Sequence, residues 1–234
     1  MNDTKGFTLI EMLIVIAVIS VIATIAIPNL LSARLSANET AAIATLRSIS
    51  SAQMQFRGLA YNDNDADGQG EYGYLAEMSG LTPPRINGAP AADPINPPTL
   101  SGAFRNVQDS GLGTGVVTRT GFVYQLYLPG AGGAPVPEDV AGGPGAGVVD
   151  DDLAEVIWCC YAWPATKDTT GTRAFVVNQA GDILMTDNVL QQYSGPDGGP
   201  DGLAAYSGAD MRERLSINAL PAPAQDAAVW RPAN

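Results

Sequence analysis

The chain has 234 residues, room for one ordinary domain with an appendage or for two small domains. Its 24 acidic against 12 basic residues leave a formal net charge of −12, a surface that repels phosphate backbones and shows no basic stripe to overcome that field, so nucleic acid is not expected as a partner. The absence of histidine removes the commonest general base, the commonest transition-metal ligand and every Ser-His or Cys-His nucleophile pair.

The first element is a long oily run. Residues 12–33 carry no charge, and between Ile14 and Ile27 only Ser20 and Thr24 are polar. As a helix this run spans ~33 Å, about one bilayer core. A secretory signal peptide has a shorter apolar centre and a small-x-small cut after it, whereas here the run passes straight into a helical pattern, so a retained membrane anchor is the better reading. Beyond the run, Leu35, Ala42, Leu46, Ile49 and Phe56 recur at helical steps, with Ser36, Glu39, Arg47 and Ser50 elsewhere on the wheel. The pattern predicts one continuous helix over about residues 8–57, ~75 Å long. Its first half, 7–30, is membrane-embedded, and its second half, 31–58, is amphipathic and rests on a soluble head at 59–234. Pro28 lies inside this helix, removes the bond to the Thr24 carbonyl and is expected to kink or loosen it.

Glu11 is a carboxylate placed where lipid makes charge costly. It belongs to "KGFTLIE" (5–11), which with the oily run behind it resembles the class III signal of type IV pilins and type II secretion pseudopilins. The matching features are a short charged leader at 1–6, Gly6 before the cut, Phe7 as the new first residue, Glu11 five places into the mature chain, and Pro28 where that family often has a helix-loosening proline. The resemblance covers residues 1 to about 57. It implies cleavage between Gly6 and Phe7, and N-methylation of Phe7, by a prepilin peptidase. It implies a single-pass inner-membrane precursor with a periplasmic head, and then a periplasmic or extracellular filament. The implied partners are other copies of the chain, related pilin-like subunits and an inner-membrane assembly platform. For Glu11 two readings stand. Either it neutralises the freshly cut Phe7 amine of a neighbouring copy and sets the axial register, or it only caps the first helical turn.

After Arg57 the composition changes. "YNDNDADGQGEYGY" (61–74) holds Asp63, Asp65, Asp67 and Glu71, with Gly68 at a turn. The Asp-x-Asp-x-Asp-Gly spacing resembles the first half of an EF-hand calcium loop, with Tyr74 where a bidentate Glu belongs. The candidate calcium ligands are Asp63, Asp65, Asp67, the Gln69 carbonyl and Glu71; the alternative is a solvated acidic loop. The run Asp150–Asp152 with Glu155 reads most simply as a solvated cluster before a strand, with a second cation site as the alternative. Asp187, Asp197 and Asp201 flank a Gly-rich loop, comparable to the C-terminal loop that holds calcium in major pseudopilins.

Three Pro/Gly-rich stretches, 83–98, 129–147 and 194–202, read as surface loops. Between them lie strand candidates: "FVYQLYL" (122–128), "VIWCCYAW" (156–163), and a hairpin over 173–187 turning at Gln179–Asp182. They predict an antiparallel sheet of three or four strands with one face on the amphipathic helix, an α+β fold with long Pro/Gly-rich loops. Trp158, Trp163, Tyr124 and Phe175 are expected in its core rather than on a ligand platform. Cys159 and Cys160 are the only cysteines, adjacent and therefore on opposite faces of a strand, so no disulfide framework follows.

Two function classes follow. One is a structural subunit of a type IV pilus-like or type II secretion pseudopilus filament. The other is a membrane-anchored periplasmic binding or enzymatic domain carrying the same signal. No Gly-x-Ser-x-Gly or acid–base motif supports the second, so the chain is not expected to be an enzyme.

Overall fold

Thr8 starts the long helix, α1 (Leu9–Gly58), with an extended backbone and a side chain that accepts the Glu11 N–H. The computed structural model describes residues 6–85, 93–144, 148–218 and 222–233. The leader residues 1–5 and the Pro/Gly stretches 86–92 and 145–147 lie outside the described residues. Across its 50 residues α1 is unbroken, running through Pro28, whose missing N–H deprives the Thr24 carbonyl of its intrahelical donor. The second half of α1 buries Ala42, Leu46, Ile49, Ala52, Gln53 and Phe56 at steps of three and four, facing two strands of the head, Cys159–Pro164 and Ala174–Asn178, and the short helix α2 (Leu75–Met78).

The head is α+β, with a single antiparallel sheet larger than the predicted three or four strands. Its strands are β1 (Val107–Asp109), β2 (Gly115–Arg119), β3 (Phe122–Pro129), β4 (Pro135–Pro137), β5 (Cys159–Pro164), β6 (Ala174–Asn178), β7 (Ile183–Thr186) and β8 (Arg231–Pro232). They run in the order β1-β2-β3-β5-β6-β7-β8, with β4 against the end of β3. Thr120 and Gly121, both at positive φ, close the β2–β3 hairpin in the sense that suits strand twist. The register sets Leu126 opposite Cys160, and Tyr161 opposite Val176. The Pro/Gly stretch 129–147 is therefore partly strand, because β4 is a Pro-Val-Pro edge strand that still pairs with β3.

Both faces of the sheet are covered. On one face α1 and α2 bury Tyr124, Leu126, Trp158, Cys160, Phe175 and Val177. The other face buries Val123, Tyr127, Cys159, Tyr161, Trp163 and Val176 beneath irregular chain that contributes Tyr193, Tyr206, Met211 and Trp230. The two cysteines are free and lie on opposite faces, as alternation along a strand requires. The 194–202 stretch is also held down: Trp163 Nε1 donates to the Gly195 carbonyl at 2.6 Å and Tyr127 Oη to the Pro200 carbonyl at 3.0 Å. It is a sheet cover rather than a free surface loop. Glu39, placed off the core face by its charge, is buried there. Its Oε1 accepts the Thr172 N–H and hydroxyl and the Arg173 N–H, and Oε2 pairs with the Arg173 guanidinium.

Candidate functional site

From Phe7 to Leu31 the chain presents oily side chains on all sides, with Phe7 78%, Leu9 83% and Leu30 70% exposed. α1 is long and apolar enough to cross a membrane by length and composition. Its interior hydroxyls do not disturb that surface, because Ser20 and Thr24 donate to the Ile16 and Ser20 carbonyls one turn back, each at 2.8 Å. Gly6, Phe7 and Thr8 precede the helix in non-helical backbone, and all three are exposed. Glu11 sits at the third helical position. Its Oε2 accepts the Thr8 N–H at 2.8 Å and the Thr8 hydroxyl at 2.7 Å. In the single chain Glu11 is thus a cap.

The acidic loop divides into an outward and an inward set. Asp63, Asp65 and Asp67 each offer a carboxylate oxygen within 4.8 Å of the others. Glu71 does not join them. It is 1% exposed and turns inward, where the Asn64 N–H donates to its Oε1 at 2.6 Å and Arg85 lies 3.7 Å from its Oε2. The Gln69 side chain bonds back to Asp67. Of the predicted ligands Glu71 thus lies apart from the carboxylate group, turned toward the Arg85 guanidinium, which local spacing alone could not reveal. Asp152 and Glu155, read from the sequence as solvated, come to the loop instead and sit beside Asp65. Asp152 lies in the one-turn helix α3 (Asp151–Ala154) and Glu155 is its C-cap; the helix starts at Asp150, whose Oδ1 accepts the Leu153 N–H. Asn64 ties the two segments together by donating to both carboxylate oxygens of Asp151, at 3.0 and 2.9 Å. The density of acids at 150–155 was the one available signal.

Inside the head, Glu71, Glu77 and Glu138 share one cation among the described residues, Arg85. Arg85 pairs with Glu77 at 3.1 Å, donates to the Tyr72 carbonyl at 2.7 Å and lies over the Tyr74 ring. Glu138 accepts the α2 N–H groups of Ala76 at 2.7 Å and Leu75 at 3.3 Å. Burial pushes Glu138 up to about 8 against those two bonds, and pushes Glu71 up to about 7 against its Asn64 bond and Arg85. It raises Glu77 as well. Of the three buried carboxyls facing this guanidinium, Glu138 and Glu71 therefore titrate near neutrality. Neither these acids nor the aromatics line a ligand platform: Trp158, Trp163, Tyr124 and Phe175 are all core. Asp187 pairs with Arg231, and Asp201 accepts the Leu203 N–H. Among the described residues neither they nor Asp197 belongs to a group of clustered carboxylates.

The family model described as "Prokaryotic N-terminal methylation motif" matches residues 1–27, and the model described as "Protein of unknown function (DUF2950)" matches residues 23–191. Over 46 residues the chain is 59% identical to the "Type IV wide pilus major component PilA4" of Thermus thermophilus, a match covering 20% of this chain and 35% of that protein. Over 85 residues it is 33% identical to the "Type IV major pilin protein PilA" of Myxococcus xanthus, covering 36% of this chain and 38% of that protein. The chain thus spans less than two fifths of the length of these curated relatives. No solved structure matches it. With the methylation motif at its start and a long apolar first helix carrying an antiparallel head, the chain is similar to type IV pilins in its N-terminal part, and over residues 23–191 it belongs to the family described as "Protein of unknown function (DUF2950)".

Proposed function

We propose that the chain is a structural, non-catalytic subunit of a type IV pilus-like filament. It is held in the inner membrane by α1 with its head in the periplasm. Prepilin peptidase cuts it between Gly6 and Phe7 and N-methylates Phe7, and a membrane platform then assembles it with its own copies and related pilin-like subunits. The observation that carries this reading is the sleeve from Met12 to Ile27, uncharged, almost wholly apolar on every side and uncovered by the head. Such a surface is stable only in lipid or among like helices, which associate through van der Waals packing once lipid is removed. The bond to be cut lies in exposed, non-helical chain two residues before α1, as a peptidase requires. Both relatives are type IV pilus proteins, which favours a pilus over a secretion pseudopilus.

Glu11 fits the register role as well as the cap. Both bonds from Thr8 go to Oε2, so Oε1 has no partner among the described residues and is available to the methylated Phe7 ammonium of a neighbour. Mass spectrometry of the polypeptide from sheared filaments is expected to show N-methyl-Phe7 as its first residue. A filament-free cell surface with Met1–Gly6 still attached refutes the reading.

A further inference from the structure

Asp65 belongs to two carboxylate groups at once, with Asp63 and Asp67 in its own loop and with Asp152 and Glu155 from across the chain. Within each group the nearest oxygens lie within 4.8 Å of one another, so five acids form one continuous patch. Glu155 adds an independent observation. It is only 6% exposed, faces Asp65 and Asp152, and its carboxylate has no hydrogen-bond or ion-pair partner among the described residues. Oδ1 of Asp63 is likewise buried without a partner. A carboxylate on a largely covered side chain, without a partner beside four others, is opposed by repulsion and by partial desolvation. The guanidinium that counters this charge, Arg57, lies over the Tyr72 ring.

We propose that Asp63, Asp65, Asp67, Asp152 and Glu155 bind calcium, clamping the segment that leaves the long helix to the turn that enters β5. The donors are all hard carboxylate oxygens, and no imidazole exists to recruit a softer metal. A flexible loop offering several carboxylates suits calcium, whereas magnesium demands tighter octahedral geometry and keeps its waters. The Asn64–Asp151 bonds hold the two halves in place before the ion arrives. Glu71, facing Arg85, takes no part. The site is independent of polymerisation and stands whether or not the chain forms filaments.

The test uses the processed full chain in detergent micelles, titrated with calcium chloride by calorimetry and melted in calcium or in chelator. Binding in the micromolar to millimolar range is expected, with a higher melting temperature in calcium. Asp65→Asn, Asp152→Asn and Glu155→Gln should each weaken binding at least ~10-fold, the scale of losing a charged ligand, while the exposed control Asp182→Asn binds as the parent does. In chelator, Glu155→Gln should melt above the parent, because it removes one of several like charges held close together. Asp152 is exposed, so its variant folds and reads binding alone. No calcium heat from the parent up to ~10 mM, an order of magnitude beyond extracellular sites, overturns the proposal. So does parental affinity in Glu155→Gln and Asp152→Asn, or binding of magnesium in preference to calcium.

Discussion

Gln53 on α1 bonds both backbone groups of Gly73, its Nε2 donating to the carbonyl at 2.8 Å and its Oε1 accepting the N–H at 3.0 Å. The side chain acts as a short strand edge, anchoring the 70–74 segment to the helix. The residue it holds must be glycine for a packing reason, since a Cβ there would stand 2.7 Å from the Phe56 ring. Gln53→Ala leaves a buried N–H and carbonyl unpaired, which costs about 2–4 kcal/mol. For a chain of this size that lowers the melting temperature by roughly 4–16 °C. Thermal melts by circular dichroism check it, and a parental melting temperature in Gln53→Ala rules out the anchoring role.

The Glu71, Glu77, Glu138 and Arg85 cluster sets a pH dependence. Glu138 is pushed up to about 8 and Glu71 to about 7, chiefly by burial, whereas unfolded glutamates titrate near 4.5. The folded chain therefore binds more protons than the unfolded chain between those values. This stabilisation is complete below about pH 4.5 and is lost as pH rises through 8, at up to ~1.4 kcal/mol per pH unit for each proton. Asp151 also faces Glu71 and raises it further, while Arg85 opposes the shift. Melting temperature is expected to be higher at pH 5 than at pH 8, and Glu138→Gln should flatten that slope. A melting temperature that climbs from pH 5 to pH 8 contradicts the assignment.

The long helix was legible because its signal is local. An uncharged run passes into a helical repeat, and the predicted 8–57 became Leu9–Gly58. Strands β3 and β5 and the β6–β7 hairpin were legible for the same reason, as apolar runs with a turn between them. The far-face cover was not, because Tyr193, Tyr206, Met211 and Trp230 follow no period and sit in irregular chain. β4 was hidden by its prolines, which only an edge strand tolerates. Glu39 and Glu71 were misplaced because polar residues are assigned outward by default. Their partners, Thr172 with Arg173 and Arg85, are fixed only by the fold. Asp152 and Glu155 reach Asp65 for the same non-local reason.

Burial makes both thiols inert in the native chain. Cys159 and Cys160 are fully covered on opposite faces of β5, which pushes Cys159 up to about 12 and Cys160 well above its usual range. Iodoacetamide at pH 8 is expected to leave both unmodified in the folded chain and to label both in denaturant. Rapid labelling of either one without denaturant would show that β5 opens locally. Cys160→Ser should be destabilising by about 1–3 kcal/mol, the penalty for placing a hydroxyl among apolar neighbours.

The two roles of Glu11 can be separated by chemistry. Capping requires an oxygen that reaches back to Thr8, and a glutamine at this position supplies one. Neutralising a neighbour's Phe7 ammonium requires the negative charge. Glu11→Gln therefore preserves the cap and removes the anion, while Thr8→Ala removes the hydroxyl partner and preserves the anion. On the proposed reading Glu11→Gln is cut and inserted as the parent is, yet leaves each buried ammonium unpaired, at about 2–5 kcal/mol per contact. Its recovery in sheared filaments should fall more than ~10-fold, since each 1.4 kcal/mol is a factor of ten, while Thr8→Ala assembles near the parental level. The reverse order, with Glu11→Gln assembling normally and Thr8→Ala failing, assigns Glu11 to the cap alone and leaves filament register to the apolar sleeve.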